Sequence, residues 1–369
     1  MKVAFLTHTT RYGGAAISQR TVLEYLFENY LVDPTDCILA IPHGEPLGVY
    51  SSIASRMNTV SWQLPFSLVF KGAPDNIRIR VSSLYKEIRA IIGTIRYNTV
   101  LKREGVTHIH LNSSVFWCML PFLPKQMKKI IHIRELMKDT LAAKLAIWTI
   151  NRYADTILAI SQQTAQPFPR AIIIENPYDM RRARQCRNIR DALKRQFDVP
   201  PDVFVVSVIA EVSEGKGHRF LEEVLQQLGG RKDILVISAG AVASVDLFNS
   251  LTRYKQFRYL GERESVDELY AISDVILRCE QYLPLGRTVY EGIYAGCTIA
   301  VPLSRWDDTH EILPYLGEQI FVYAGGNAGS CLECLDRIRI RNYEQGNSSG
   351  FKEMSNVKQS ALKFMEVLC

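Results

Sequence analysis

The chain has 369 residues, of which 47% are hydrophobic and 22% are charged, and its formal net charge is +6. This composition is that of a globular protein long enough for two domains, which excludes disordered and fibrous classes. No apolar run approaches the roughly 20 residues that span a bilayer, and residues 1–10 are too short and too polar at their end for a signal peptide. We therefore expect a cytoplasmic protein whose chain begins with a strand.

The eight cysteines are scattered, and one pair, Cys331 and Cys334, has the C-x-x-C spacing. Such a pair can bind zinc or carry a redox disulfide, but no second pair and no nearby histidine accompanies it. We predict reduced thiols on a helix.

Short apolar runs that alternate with helical patterns predict a parallel α/β organisation in the first half of the chain. Strands are predicted at residues 2–6, 37–41, 107–111, 130–133, 155–161 and 171–176. Pro177 and the arginine-rich polar stretch 179–201 predict a linker. The predicted first domain therefore covers residues 1–178.

The same alternation restarts after this stretch. Strands are predicted at residues 203–209, 234–238, 257–260, 274–277, 299–302 and 319–323, with helices at 218–228 and 266–272. A second domain is predicted over residues 202–350. The pattern implies parallel sheets with helices on both faces, twice over.

Residues 71–105 form the most basic segment, with eight Lys or Arg against three Asp or Glu, and their apolar residues recur at helical spacing. A basic amphipathic helix of this kind can lie on an anionic membrane surface. The same pattern is also typical of a core-facing helix with a solvated basic face, which is the interpretation we favour.

Two segments have the strand, glycine loop and helix order that cradles phosphate groups. In the first, Gly13 and Gly14 follow the opening strand. In the second, residues 283–296 place Pro284 and Gly286 before a short helix that ends at Gly296. The N-terminus of that helix would offer backbone N–H groups to phosphate oxygens, and a carboxylate one turn in would accept hydrogen bonds from a ribose diol.

Polar residues also follow two predicted strands. His132, Arg134 and Glu135 come at the end of the strand at 130–133, where ligands of open α/β sheets collect; an Arg134–Glu135 ion pair beside a packed histidine is the structural alternative. Lys216 lies between two glycines after the strand at 203–209, from where it can reach a phosphate, although a surface Lys-Gly turn fits the same residues.

These segments together resemble the retaining glycosyltransferases of family 4. The signature Glu-x-Phe-Gly-Arg-Thr-x-x-Glu-Ala-x-x-x-Gly is matched by Gly286, Arg287, Thr288, Glu291 and Gly296. Leu285 replaces the Phe, and Leu283 replaces the first Glu, for which Glu280 is the nearest substitute. The family's Gly-Arg-x-x-x-x-Lys-Gly motif is matched by Lys216 and Gly217, with Glu211 in the Arg position. The Gly-Gly-Ala opening and the His-x-Arg-Glu segment are also similar.

The resemblance implies the GT-B fold, with two Rossmann-like domains whose parallel sheets face a cleft. It also implies that the helix expected near residues 355–368, within the segment 351–369, returns to the first domain. The implied reaction transfers a sugar, with retention, from a UDP- or GDP-linked donor to a hydroxyl of a glycan, a lipid-linked glycan or another small acceptor, as in polysaccharide biosynthesis. No cofactor, divalent metal or nucleic acid is expected, and peripheral contact with the inner membrane face stays open.

By the same resemblance, catalytic roles fall to Lys216, Glu291 and His132. Donor binding falls to Gly13, Gly14, Glu280, Leu285, Gly286, Arg287 and Thr288. Arg134 and Glu135 would contact the acceptor or a phosphate. Because Leu283 and Glu211 depart from the motifs, a degenerate GT-B protein that binds a nucleotide or partner without catalysis is the alternative. A Rossmann enzyme with another cofactor is disfavoured, since Gly13 and Gly14 do not belong to a G-x-G-x-x-G motif.

Overall fold

The computed structural model describes residues 1–62, 69, 77–263, 265–280, 286–303, 318–345 and 354–369, with the backbone alone for 77–83 and 345. The chain divides into two compact units. The first unit is Met1–Pro177 together with Val357–Cys369, and the second unit is Tyr178–Asn356. Each is built around a parallel sheet, so the parallel α/β organisation predicted from the sequence is confirmed.

The first unit has a sheet with the order β3-β2-β1-β4-β5-β6-β7. Its strands are β1 (Val3–Leu6), β2 (Cys37–Pro42), β3 (Asn58–Trp62), β4 (His108–Leu111), β5 (Lys128–Ile133), β6 (Thr156–Ala159) and β7 (Ile172–Ile173). Its helices before residue 178 are α1 (Gly14–Glu28), α2 (Ser51–Ala54), α3 (Ile77–Arg103), α4 (Leu141–Tyr153) and α5 (Gln162–Ala165). Short 3₁₀ helices lie at Pro34–Asp36, Gly48–Tyr50 and Ser114–Phe122.

Both faces of this sheet are buried. Alternate residues of a strand point to opposite faces, so Val3 and Phe5 enter one core cluster while Ala4 and Leu6 enter the other. Helix α1 covers the first face, and α3, α4 and the 3₁₀ helix Ser114–Phe122 cover the second. This two-sided burial explains why the strands are continuous apolar runs in the sequence.

The second unit has a sheet with the order β10-β9-β8-β11-β12-β13. Its strands are β8 (Phe204–Ile209), β9 (Ile234–Ala239), β10 (Phe257–Tyr259), β11 (Val275–Leu277), β12 (Thr298–Leu303) and β13 (Ile320–Ala324). Its helices are α6 (Arg181–Cys186), α7 (Arg190–Gln196), α8 (His218–Leu228), α9 (Val245–Leu251), α10 (Asp267–Ile272), α11 (Arg287–Ala295) and α12 (Ala328–Gln345), with short 3₁₀ helices at Arg187–Ile189 and Glu214–Lys216.

The strand order reverses once in each sheet, between β1 and β4 in the first unit and between β8 and β11 in the second. At such a switch the connections leave the two neighbouring strands in opposite directions and open a crevice beyond their carboxyl ends. Each unit therefore has one edge at which loops can hold a ligand.

Residues 179–201, predicted as a linker, form α6, the 3₁₀ helix Arg187–Ile189 and α7 within the second unit. Leu193, Phe197 and Val199 are buried there against Val205 and Leu235 of β8 and β9. The high arginine content concealed this apolar face: Arg181, Arg182 and Arg195 are exposed, and Arg184, Arg187 and Arg190 are only partly buried. Strand β3 was also absent from the prediction; its residues 58–61 are only partly buried and give a weak apolar pattern.

The Cys331–Cys334 pair lies on α12, as the sequence predicts, and both thiols are buried in the core of the second unit. Burial raises the pKa of both thiols, which disfavours the thiolate needed for metal binding. Among the residues that the structure describes, no group of three or more His, Cys, Asp or Glu side chains is arranged to hold a metal ion.

Helix α13 (Val357–Leu368) belongs to the first unit. Its residues Ala361, Phe364 and Leu368 are buried with α1, and Lys128 donates a 2.7 Å hydrogen bond to the carbonyl of Val367. Within the described ranges, no helix combines the length and the apolar character required to cross a membrane.

Candidate functional site

The first polar cluster lies in the second unit, at the carboxyl ends of β8 and β11, the pair between which the strand order reverses. The chain leaves β8, forms the 3₁₀ helix Glu214–Lys216 and turns at Gly217, which has φ 76°. A Cβ at Gly217 would lie 2.2 Å from the carbonyl oxygen of Cys279, so only glycine permits this approach. The close contact brings Lys216 beside the end of β11.

Lys216 forms an ion pair with Glu280, which follows β11 and also pairs with Arg278. Its Nζ lies 2.8 Å from Oε1 of Glu280, and a guanidinium nitrogen of Arg278 lies 3.4 Å from Oε2 of the same carboxylate. The side chain of Arg278 is buried, whereas that of Lys216 is 46% exposed. Glu280 therefore bridges a buried cation and an accessible one. Arg278 was not predicted as a site residue; a basic residue directly after an apolar strand was the available signal.

The N-terminus of α11 adjoins this cluster. Gly286 precedes the helix in an extended conformation and, as a glycine, supplies no side-chain cap to the first turn. A Cβ at Gly286 would lie 3.0 Å from Arg278, 3.8 Å from Glu280 and 3.9 Å from the Thr288 hydroxyl. Lys216, Arg278, Glu280, Gly286 and Thr288 are thus collected around one helix N-terminus, which favours an anion.

Glu291 lies one turn further along α11 and is held by two donors. Arg287 Nε donates to its Oε1 at 2.8 Å, and the Tyr270 hydroxyl donates to its Oε2 at 2.8 Å. Burial and the neighbouring carboxylate raise the pKa of Tyr270, so the hydroxyl keeps its proton and remains a donor. Each carboxylate oxygen of Glu291 retains acceptor capacity for a further hydrogen bond.

An aromatic stack supports Arg287. Its guanidinium lies 4.9 Å from the ring centroid of Tyr178, and that ring stacks on Tyr290 and Tyr294 at 5.5 and 5.4 Å. The stack and the Glu291 carboxylate fix the orientation of the guanidinium from two sides. Leu285 and Leu283, also named in the sequence prediction, lie outside the described residues. Glu211 is exposed just beyond β8.

The second polar cluster lies in the first unit, around Arg134 after β5. Arg134 donates to Asn112 at 2.7 Å and to Asn176 at 2.6 Å, and its guanidinium lies 3.3 Å from Nδ1 of His132. Asn112 directly follows β4, and the Ser18 hydroxyl of α1 donates to Asn176. One arginine therefore ties together the carboxyl ends of neighbouring parallel strands.

Glu135 serves a different purpose from its neighbour. Its carboxylate accepts hydrogen bonds from the hydroxyls of Ser113 and Ser114 at 2.6 and 2.8 Å, and from the backbone N–H of Ser114 at 3.2 Å. These donors stand at the start of the 3₁₀ helix Ser114–Phe122. The geometry makes Glu135 an N-terminal cap of that helix.

His132 and His110 are buried side by side with ring centroids 5.7 Å apart. The amide of Gln19 lies 3.1 Å from Nδ1 of His110, and the Tyr50 hydroxyl donates to the carbonyl oxygen of Gln19 at 2.7 Å. Burial and the adjacent Arg134 guanidinium lower the pKa of both imidazoles, that of His110 to about 3. Both rings are therefore neutral at physiological pH.

Gly13 and Gly14 stand at the N-terminus of α1 in the same unit. Gly13 is extended, with φ −142°, and its carbonyl accepts from Ile17 N–H at 3.0 Å. No side chain caps this helix, and its first turn has no acidic residue. The start of α1 therefore keeps the positive end of its dipole, as the predicted phosphate loop requires.

No protein-family model matches the chain, and no curated protein matches it by sequence. Solved structures do match over almost the whole chain. The HepE protein of Anabaena in complex with UDP and glucose has a TM-score of 0.74 at 15% identity, covering 100% of this chain and 99% of that chain. A glycosyltransferase from Rickettsia africae has a TM-score of 0.71 at 14% identity, covering 99% of this chain and 97% of that one.

Sucrose-phosphate synthase from Thermosynechococcus elongatus has a TM-score of 0.72 at 12% identity, covering 100% of this chain and 98% of that chain. These proteins have the GT-B fold, so the GT-B fold expected from the sequence is confirmed. At such identities the similarity shows the fold, and the activity has to be argued from the site.

Proposed function

We propose that this protein is a glycosyltransferase that moves a sugar, with retention, from a UDP- or GDP-linked donor to a hydroxyl of a glycan, a lipid-linked glycan or another small acceptor. The observation that carries the proposal is the cluster at the ends of β8 and β11. There Lys216, Arg278 and Glu280 lie beside the start of α11, whose N-cap residue is Gly286. In support, the similar HepE protein was crystallised with UDP-glucose.

The leaving diphosphate is the species that this cluster suits best. A sugar–phosphate bond breaks with negative charge developing on the diphosphate, and fixed positive groups that face this charge lower the barrier. Lys216 is accessible enough to contact a phosphate, and the helix N-terminus adds backbone N–H groups. With this charge supplied by the protein, we propose that transfer needs no divalent ion.

Glu291 is proposed to hold the ribose of the donor. Tyr270 and Arg287 each donate a 2.8 Å hydrogen bond to one of its two carboxylate oxygens. The carboxylate is therefore already oriented when a diol binds, which removes the free-energy cost of ordering it. Glu280 is proposed to take the place of the motif glutamate missing at Leu283. Glu280 pairs with Lys216 and Arg278, the cations assigned to the diphosphate. The sugar to be transferred is attached to that diphosphate, so its hydroxyls are expected close to Glu280.

The acceptor is assigned to the first unit, with Arg134 and His132 as its polar contacts. Because the His132 imidazole is neutral and hydrogen-bonded to Arg134, it can contact a hydroxyl but does not supply a positive charge. In this scheme the acceptor proton passes to the departing diphosphate on the same face of the sugar. Glu135 is proposed to act indirectly, by fixing the turn beside Asn112.

A binding-only GT-B protein is the second candidate. One observation favours it: Lys216 is already paired with Glu280, and Glu211 adds a further negative charge beyond β8. Such a protein would bind a nucleoside diphosphate weakly and would leave nucleotide sugars intact.

The test is a panel of UDP- and GDP-sugars incubated with the protein and a mixture of glycan and glycolipid acceptors, with release of nucleotide and formation of glycoside both measured. Transfer with retained anomeric configuration, undiminished in excess EDTA, is the expected result. Nucleotide binding without consumption of any donor would favour the second candidate. Activity that disappears in EDTA and returns with magnesium or manganese would contradict the metal-independent scheme.

A further inference from the structure

Exposed apolar side chains occur on three neighbouring elements of the first unit: α3, α4 and the 3₁₀ helix between them. Both helices pack against the 3₁₀ helix Ser114–Phe122, and Asn98 of α3 donates a 2.7 Å hydrogen bond to the carbonyl of Phe122. The outward residues of this layer are large and apolar. We define the α3–α4 surface by Leu84, Tyr85, Ile88, Ile92, Ile95, Phe122, Leu141, Leu145, Trp148 and Tyr153.

The exposed apolar side chains follow the helical repeat and so lie along one face of each helix. On α3 the exposed apolar residues recur three or four positions apart and are between 46% and 59% exposed. On α4, Leu141, Leu145 and Trp148 show the same spacing and are between 52% and 87% exposed. The opposite faces of both helices are already buried, with Ala90 and Leu101 on α3 and Ala143 and Ile150 on α4. The sequence pattern had favoured a core-facing apolar face on α3. That interpretation is wrong for Leu84, Ile88 and Ile95, which are exposed, while Ala90 and Leu101 face the core.

The charges on this surface are almost all positive. From Leu84 to Arg103, α3 has five basic residues and one acidic residue, and α4 has two basic residues and no acidic one. The basic side chains at Arg89, Arg96 and Arg152 are exposed beside the apolar ones, and the exposed Lys144 pairs with Asp139, just before α4, at 3.0 Å. A second copy of this chain would bring like charges together, whereas an anionic surface would complement them.

Trp148 and Tyr153 add a further feature, since their ring centroids lie 6.2 Å apart at the exposed end of α4. Amphipathic aromatic rings are favoured at the level of lipid headgroups, where one part of the ring is apolar and another is hydrated. Large apolar residues, aromatic rings and flanking lysines and arginines are together the composition of helices that lie in a membrane interface.

We propose that the α3–α4 surface docks the protein on an anionic phospholipid bilayer, with the apolar side chains entering the headgroup region and the basic residues contacting lipid phosphates. Binding requires both contributions, because either one alone gives weak and reversible attachment. The proposal does not depend on sugar transfer, since nothing in this surface belongs to the nucleotide cluster.

The experiment is flotation of the full-length protein with vesicles of phosphatidylcholine alone, or of phosphatidylcholine and phosphatidylglycerol in equal amounts. We expect binding to the anionic vesicles that weakens as salt is raised. Combined Leu145→Glu and Trp148→Glu substitutions, and separately Arg89→Glu with Arg96→Glu, should each lower the bound fraction at least about tenfold. Matched controls in the second unit are Ile189→Glu, at a residue that is 54% exposed, and Lys255→Glu, which should bind as the unsubstituted protein does.

Sedimentation of the same variants tests whether a second copy of this chain covers the α3–α4 surface instead of a membrane. If the unsubstituted protein is a dimer that Leu145→Glu and Trp148→Glu dissociate, a second copy covers this surface and the proposal is wrong. It is equally wrong if the protein does not float with anionic vesicles, or if the variants float as well as the controls. UDP binding is measured in each variant as well. Binding equal to that of the unsubstituted protein shows that the variant is folded, and UDP binding by the unsubstituted protein tests the proposed function independently of the vesicle experiment.

Discussion

Replacing Glu280 by Gln tests whether the cluster at the ends of β8 and β11 binds a diphosphate. Glu280 bridges Lys216 at 2.8 Å and Arg278 at 3.4 Å, so in the unliganded protein it occupies charge that a diphosphate would otherwise use. The amide removes the negative charge and keeps the shape of the side chain. We therefore expect Glu280→Gln to tighten the binding of UDP or GDP while lowering transfer from the sugar donor.

The magnitude follows from the distance and the exposure of the pair. Two unit charges 2.8 Å apart interact by about 1.5 kcal/mol at the dielectric constant of water and by about 6 kcal/mol at an effective value near 20. Because Lys216 is 46% exposed, the lower value applies, and the ordering of two side chains reduces it to about 1 kcal/mol. The expected change is about a fivefold decrease in the Kd of the nucleotide.

Titration calorimetry with UDP and GDP at two salt concentrations is the appropriate measurement. The matched control is Glu214→Gln, which neutralises a carboxylate in the 3₁₀ helix that contains Lys216 but that pairs with Arg219 instead. In a Lys216→Ala background the gain from Glu280→Gln should shrink, since the freed cation is then absent. Unchanged or weaker nucleotide binding in Glu280→Gln would refute the diphosphate assignment of the cluster.

Three further results are expected. Lys216→Ala should lower turnover by about 100-fold or more and weaken nucleotide binding, because the lost charge acts mainly on the leaving group, whereas Lys255→Ala should do neither; equal activity of the two variants would rule out that role. Glu291→Gln should weaken donor binding by about 1.5–3 kcal/mol with an unchanged melting temperature, and a deoxyribose donor that binds as tightly as the ribose form would show that Glu291 does not hold the ribose. Burial lowers the pKa of His110 from an ordinary value of 6.5 to about 3, so below pH 6.5 the unfolded chain binds more protons than the folded chain does. The free energy of unfolding should therefore fall as pH is lowered from 6.5 towards 3, by up to about 1.4 kcal/mol per pH unit for this residue. Urea unfolding should show a smaller slope for His110→Gln than for a control variant of the exposed His43, and equal slopes would contradict the burial argument.

Local signals in the sequence were sufficient for every strand except β3 and for the glycine positions. Strands with two buried faces are continuous apolar runs, and Gly217 and Gly296 mark turns with positive φ, of 76° and 77°. What was not foreseen depends on contacts between distant residues. Lys216 and Arg278 are 62 positions apart and bind the same carboxylate, that of Glu280, because β8 and β11 are neighbours in the sheet, a pairing that no local pattern encodes.

The segment 179–201 shows the opposite difficulty, in which composition misleads. Its arginines suggested an exposed linker, yet several of them anchor the helices to the second unit: Arg184 donates to the carbonyl of Tyr294 at 2.8 Å and Arg190 to Asp274 at 2.8 Å. A charged residue is exposed by default only when no carbonyl or carboxylate lies within its reach, and that condition is set by the tertiary structure.

The position of α13 affects the order in which the protein can fold during synthesis. The Phe364 ring of this helix lies 4.9 Å from the His110 ring and 6.3 Å from the Phe5 ring, so it closes the core around β1. Residues 178–356 leave the ribosome before α13 does, and they form a unit of their own. Residues 1–177 are therefore translated before the second unit, but their fold is completed after it, when α13 is added. Until then the ring of Phe5 and the apolar side chains of α1 that α13 covers are exposed, and chaperones can bind them.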